Sequence, residues 1–507
     1  MANQLTLELL DEAIRGDSAA FRCRMILHPA GGDGDKVFPP TYAGGVYAVE
    51  DRRIDGRIAR CVLLDSVQSQ ANRMEELLQE AFIPNWRELP QEEWAKEGLA
   101  CGLPVIAVHI PKHGWITSLT APHRIHDAIL RDSEINKGGN GDSVRFRDSA
   151  IGREIVAARV YDAAAFYRYC PTALLFGTWD STAGEGLNSA KIPRAVVSEI
   201  IGVDATAGVR TASRLDPLGI ERTAATIYRR KDGDWAAKIQ GMDGTEQWIG
   251  AESDSDIEQT KTGALKKFGR KGSPSDINHG NIIPHLPRFD PRDDVQKQNL
   301  DQLPDLLQDQ PLRLNYRLES REGRLSTDLT VDRSRIRGNA VKPGGVTIAY
   351  ALHTWTLSLN QLRRLRFPAK RSKADEKDNR GNAARTALAA LAVYALALEN
   401  KCGYWLRSRC ELVADNSPIL EQVGTVNSFA VPDVSAAKQL LSDALRDAEK
   451  HIEWEKNIIR LTPMRKLLEL VRASDARRPE EELEEAETAS AGDQNWFPYR
   501  RVHGHSA

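Results

Sequence analysis

Apolar residues recur along this chain in two rhythms. From Ala20 to His28 (AFRCRMILH) they fall at every second position, the period of a half-buried strand. Residues 45–50 and 57–64 read as further strands, after a Gly31-Gly32-Asp33-Gly34-Asp35 loop and Pro39-Pro40. The rhythm then changes. Val67, Ala71, Met74, Leu78 and Phe82 recur every three or four residues, which predicts a helix over 66–82 with Ser66 as its N-cap. Strands are predicted at 103–110, 172–179 and 344–357, and helices at 153–168 and 357–366. Strands of this length with few helices between them predict an α+β domain built on an antiparallel sheet.

Two later stretches break that pattern. In residues 222–250, Asp232-Gly233 and Asp243-Gly244 separate short runs containing Tyr228, Trp235, Ile239 and Trp248, the signature of hairpins. Polar, proline-rich sequence follows over 251–310. Helical periodicity resumes over 382–412 and 435–485, and the chain becomes acidic from Glu480 to Glu487. The longest apolar run, Ala383 to Leu398, is alanine-rich, flanked by charge and short of the roughly 18–20 residues that span a bilayer. No signal peptide is apparent, and the six cysteines show no CxxC spacing, which suits free thiols in a reducing cytoplasm. No membrane partner is expected.

A net charge of −2 excludes a uniformly basic nucleic-acid binder, but the charge is clustered. Lys261–Lys271 (KTGALKKFGRK) carries five positive residues and no acid, among them Lys266, Lys267 and Arg270. Arg363–Lys373 (RRLRFPAKRSK) carries six and no acid, beginning with Arg363, Arg364 and Arg366. On the predicted 66–82 helix, Gln68, Ser69, Gln70, Asn72 and Arg73 place amides, a hydroxyl and a guanidinium opposite the apolar stripe. A solvated face more often carries Glu and Lys, so this one suits phosphates, sugars or base edges. His123, Arg124 and Arg131 offer donors and stacking planes for splayed bases. Lys191 and Arg194 flank Pro193 just after a glycine-rich loop, where backbone can approach phosphate closely.

Enzymatic signatures are sparse: no GxxxxGK[ST], HExxH or GxSxG occurs. The sharpest alternative is His126-Asp127, which with His109 or His113 and a distant Asp would make a divalent-metal site. Arg124 in the same motif disfavours a dication there. No metal and no cofactor is expected.

LDSVQSQANRMEE, HRIHDAILR, ALLFGTWDST with KIPRAVVSEI, and GGVTIAYALH before SLNQLRRLRF occur in that order. Together they resemble the backbone subunit of type I-G (formerly I-U) CRISPR interference complexes, a RAMP-superfamily protein, over residues of about 20 to 420. The resemblance implies an RRM-like (ferredoxin-like) palm over 1–221 and 311–380, interrupted by a thumb-like insertion at 222–310. Residues 381–507 would be a helical C-terminal extension with an acidic loose end. It also implies a non-catalytic scaffold whose copies assemble along a guide RNA that pairs with target DNA. Partners would be the large subunit and a fused capping and guide-processing subunit. Tyr228 or Trp235 would wedge between nucleotides. The alternative is a metal-dependent RNase of the RAMP superfamily, acting through His126 and Asp127 or through a loop acid such as Asp33 or Asp35.

Overall fold

The computed structural model describes residues 3–42, 46–87, 102–136, 143–180, 191–209, 225–240, 245–269, 272–273, 288–289, 317–318, 343–368 and 374–475. They form two compact units, one of Met1–Asp35, Val49–Asp204 and Ile348–Arg472, the other of Lys36–Ala48, Ala205–Thr347 and Ala473–Ala507. The fold is mixed α+β.

The first unit is organised by one ten-stranded sheet. Its strands are β1 (Asn3–Gln4), β2 (Ala20–Pro29), β3 (Val49–Ile54), β4 (Arg57–Asp65), β5 (Val196–Val203) and β6 (Tyr350–Ser358), followed by β7 (Tyr404–Arg407), β8 (Cys410–Ala414), β9 (Ile419–Val423) and β10 (Ser428–Ala430). The order across the sheet is β1-β10-β9-β2-β6-β5-β4-β3, with the β7–β8 hairpin also pairing with β2. All pairs are antiparallel except β1 with β10. Alternation on β2 works as the sequence predicts. Phe21, Cys23, Met25 and Leu27 are buried, while Arg22, Arg24, Ile26 and His28 take the other face.

Helices α1 (Leu7–Arg15), α2 (Val67–Phe82), α3 (Leu359–Arg364), α4 (Ala374–Cys402) and α5 (Val434–Ala448) complete this framework. Thr6, Ser66, Ser358 and Asp433 cap four of them, each accepting a backbone N–H of the first turn. Leu10, Phe21, Leu27, Leu64 and Trp355 are fully enclosed, each burial worth about 1.5–3 kcal/mol. The segment Asn379–Cys402 has the length and hydropathy of a membrane span, yet its apolar stretch is 89% buried inside the fold. Its alanines, Ala384 to Ala397, let it lie close to its neighbours as a core helix.

Several expected elements differ. The 172–179 run is a helix, Thr172–Phe176, followed by a two-residue strand, Thr178–Trp179, because a short apolar run fully buried on all sides carries no period. The 153–168 helix is two, Ala150–Ala157 and Ala164–Tyr169, and the 344–357 strand is divided between Pro343–Thr347 and β6. The 382–412 helix ends at Cys402, where Gly403 turns the chain at φ +82°. Residues 404–430 then supply four strands of the main sheet, and Ile459–Pro463 joins a second sheet between Ile106–Ile110 and Ser133–Asn136. The expected helical extension is therefore woven into the first unit up to Arg472. The acidic run at 480–487 lies outside the described residues.

In the second unit, Thr226–Arg229, Trp235–Gln240 and Glu246–Ile249 form a three-stranded antiparallel sheet, as the hairpin signals predict. A further ribbon pairs Thr206–Val209 with Pro343–Thr347.

Candidate nucleic-acid interface

Part of the polar face of α2, Gln70 and Arg73, is committed inward. Asp65, closing β4 with no exposure, accepts from Gln70 Nε2 and Arg73 Nε at 2.8 Å each and from Arg407 Nη2 at 3.3 Å. Arg73 also donates to the Leu406 carbonyl. Gln70 Oε1 in turn accepts from Ser198 Oγ at 2.6 Å, and Ser198 Oγ lies 2.7 Å from His353 Nε2. Because the single Ser198 proton goes to Gln70, His353 is the donor and carries its proton on Nε2. Burial pushes His353 down to about 4, so the ring is neutral. Gln70, expected to face a ligand, is fully enclosed, and Arg73 is a structural ion-pair partner; of the group only Asn72 stays exposed among the three named contacts.

Arg124 is likewise drawn in. Its Nε and Nη2 hold both oxygens of Glu75 at 2.7 Å, a bidentate pair on a carboxylate with 1% exposure. Its backbone sits at φ +53°, a left-handed conformation that a non-glycine residue adopts at a cost, held here by the ion pair. Burial pushes the Glu75 carboxyl up to about 7, against the pull of Arg124 and Arg194. Arg124 Nη1 reaches the Gly177 carbonyl at 3.4 Å. Gly177 itself lies at φ +83°, and a Cβ there would come within 2.8 Å of Arg194 Cγ. The glycine thus admits Arg194 to the side of the Glu75–Arg124 pair.

Arg194 is the exception in this corner. It is partly buried and donates no hydrogen bond among the described residues. Burial and the neighbouring Arg124 charge both pull its pKa down. Three residues upstream, exposed Lys191 pairs in register with Trp179, its Nζ 5.9 Å from the ring centroid, and Trp179 is 59% exposed. Of the expected contacts, Arg124 and Arg194 meet around Gly177 and Glu75, while Lys191 lies along Trp179 on the adjoining ribbon; Trp179 is the residue that sequence reasoning missed, although GTW at the end of an apolar run was signal enough.

Other expected contacts scatter. His123 is exposed, and its backbone N–H donates to Asp127 Oδ2 at 3.0 Å. The second Asp127 oxygen accepts from Ile129 N–H at 2.9 Å, so this carboxylate caps local backbone. His126 Nε2 is buried beside a cavity of about 20 Å³ shared with Arg131, Arg147 and Asp180, and burial pushes the ring down to about 4. Arg131 lies 3.5 Å from Asp132. No group of three or more His, Cys, Asp or Glu that could hold a metal gathers among the described residues.

The 363–373 run divides in two. Arg363 donates to the carbonyls of Ile14, Ala13 and Ser18 at 2.9, 2.8 and 2.7 Å, closing the C-terminus of α1. Arg366 donates to the Arg363 carbonyl, while Arg364 is exposed. Arg363→Ala is accordingly expected to cost about 1–3 kcal/mol by orphaning carbonyls, and Arg364→Ala no more than about 0.5 kcal/mol. Urea midpoints compare them, and equal midpoints for the two variants defeat the assignment. In the second unit Lys266 pairs with Glu258 at 3.1 Å and Lys267 is exposed, while Arg270 lies outside the described residues. Tyr228 packs edge-on against Trp248 at 5.3 Å, a cross-strand role, whereas Trp235 is 38% exposed beyond the Asp232-Gly233 turn.

A basic surface also lies on the main sheet's other face. Arg24 stands in register with Thr354, and Thr354 with Glu199. Arg52 clasps Glu199 at 2.5 and 3.2 Å. With Arg53, Asp55 and an apolar floor of Ile54, Ile201 and Leu352 they line a groove of about 300 Å³. Arg24 is exposed there with no ion-pair partner among the described residues. Arg22, Arg24 and His28, all on the alternate face of one strand with Ile26 between the last two, were the available sign.

No curated protein matches the chain. Residues 21–207, which carry α2, the Arg124–Arg194 corner and three walls of the groove, match the model of a CRISPR-associated family, that of CRISPR-associated protein GSU0053 (Cas_GSU0053), a likeness that points to a role in CRISPR defence.

Proposed function

We propose that this chain is the guide-RNA-binding backbone subunit of a CRISPR interference complex of the type I-G kind. Several copies would line the spacer of one guide RNA, beside a large subunit and a fused capping and guide-processing subunit. Base pairing would read the target DNA while the protein holds the guide by its backbone. The observation that carries this reading is the family match over residues 21–207, which spans the corner and most of the basic groove. On this reading the ten-stranded sheet serves as an RRM-like palm, and the 226–249 hairpins as the thumb. The chain would have no chemistry of its own, with Asp127 occupied as a backbone cap.

Co-expression with a guide RNA tests it. The purified protein is expected to elute as an assembly much larger than 56.3 kDa, with absorbance dominated by nucleic acid at 260 nm. Labelled RNA incubated with magnesium should remain intact. An RNA-free monomer under these conditions contradicts the backbone reading. Magnesium-dependent cleavage lost in a His126→Ala, Asp127→Ala double variant would promote the RNase reading in its place.

A further inference from the structure

A half-buried guanidinium with no acceptor among the described residues is open to an outside anion, and Arg194 is in that position. It is partly buried, lies beside a second guanidinium, and has its own charge disfavoured by both circumstances. Glu75, the carboxylate beside it among the described residues, is already engaged on both oxygens by Arg124. The corner therefore holds two cations for one anion. What it lacks is an external anion with free acceptor oxygens, which a phosphate supplies.

The surroundings specify more than charge. The ribbon of Thr178–Trp179 and Lys191–Ile192 joins this corner directly, since Gly177 packs on the Arg194 stem and Trp179 follows two residues later. Trp179 presents a large indole, 59% exposed, with Lys191 alongside. An exposed indole with a lysine alongside and an arginine three residues further on is an arrangement that can stack a base while its phosphate is held, and it is indifferent to base identity because every base has a flat face.

We infer that Trp179, Lys191 and Arg194 form a single-nucleotide subsite for single-stranded RNA, with the base stacked on Trp179 and its phosphate held by Arg194 and Lys191. The inference rests on the backbone reading above and deepens it. RNA phosphate would give Arg194 the acceptor that it does not find among the described residues. The subsite reads no sequence, as a protein gripping arbitrary guides requires.

Fluorescence anisotropy of the full chain with a labelled oligouridine, across a series of salt concentrations, tests this. Trp179→Ala is expected to bind about tenfold more weakly with the salt slope unchanged, and Trp179→Phe to restore most of the loss. Arg194→Met keeps the stem that packs on Gly177 but removes the charge. It should weaken binding and lower the salt slope by roughly 0.7, the value of one phosphate contact on a single strand. Its melting temperature without RNA should be equal to or above that of the wild type, because a desolvated charge has gone. Wild-type affinity and slope in both Trp179→Ala and Arg194→Met overturn the subsite while leaving the backbone reading standing. A wild-type protein that does not bind the oligonucleotide overturns both.

Discussion

Asp65→Ala is expected to cost about 3 kcal/mol of folding stability, toward the lower end of what breaking a buried ion pair from one side costs. The carboxylate has no exposure, and removing it takes the shared counter-charge from Arg73 and Arg407, whose side chains are 13% and 20% exposed, and an acceptor from the Gln70 amide. That residual exposure keeps the loss from the upper end. Arg73→Ala should be costly for the reciprocal reason, leaving Asp65 buried with weaker compensation. Asp65→Asn retains an acceptor and should fall between. Urea unfolding followed by tryptophan fluorescence measures all three. A midpoint for Asp65→Ala within error of the wild type would mean that the cluster is solvated in solution. The result also bears on how α2 is understood: if Arg73→Ala unfolds the protein, RNA lost by that variant says nothing of direct contact.

The second large effect concerns pH. Glu399, 3% exposed on α4, has no hydrogen-bond partner for either oxygen among the described residues and lies 3.9 Å from His353 Nε2. Burial, with the negative charge of Asp65 acting the same way, pushes its carboxyl from 4.5 up to about 8. The folded protein then holds a proton that the unfolded chain has released above 4.5. The stability this proton confers is complete below pH 4.5 and is lost as pH rises toward 8. His353, pushed from 6.5 down to about 4, acts oppositely, losing stability as pH falls through that range. The two therefore compete below 6.5, and above it Glu399 acts without that opposition. Between pH 6.5 and 8 wild-type protein should lose about 2 kcal/mol that Glu399→Gln retains, at about 1.4 kcal/mol per pH unit. The difference between the two stability curves isolates this group from others, such as Glu75, that titrate nearby. Parallel curves across that interval would show that the carboxylate is ionised in the fold.

Local features were legible in the sequence and long-range pairings were not. The helix at 66–82 was placed to within one residue because its stripe is periodic and Ser66 caps it, and β2 because its alternation is strict. Sequence could also bring Lys191 and Arg194 forward, as cations flanking Pro193 just after a glycine-rich loop. It could not show that Arg124 finds Glu75 49 residues away, or that Arg363 closes a helix 349 residues upstream. A polar residue on a helix looks the same in sequence whether its partner is solvent, ligand or a distant carboxylate. Gln70 and Arg73 were read as ligand-facing for that reason. The C-terminal strands were hidden because Ala-rich periodicity runs up to Cys402 and the four strands after it are only three to five residues long.

The order in which the main sheet closes has a bearing on how this protein is made. Leu27 on β2 pairs with Ala351 on one side and with Ala414 on the other, 324 and 387 residues later (351 − 27 and 414 − 27). A ribosome adding about 5–20 residues per second takes roughly 16–65 s to reach the first of those partners. Through that interval the apolar face of β2 and its unpaired backbone groups stay open to other strands, including those of neighbouring nascent chains. Pairings this distant in sequence make folding slow.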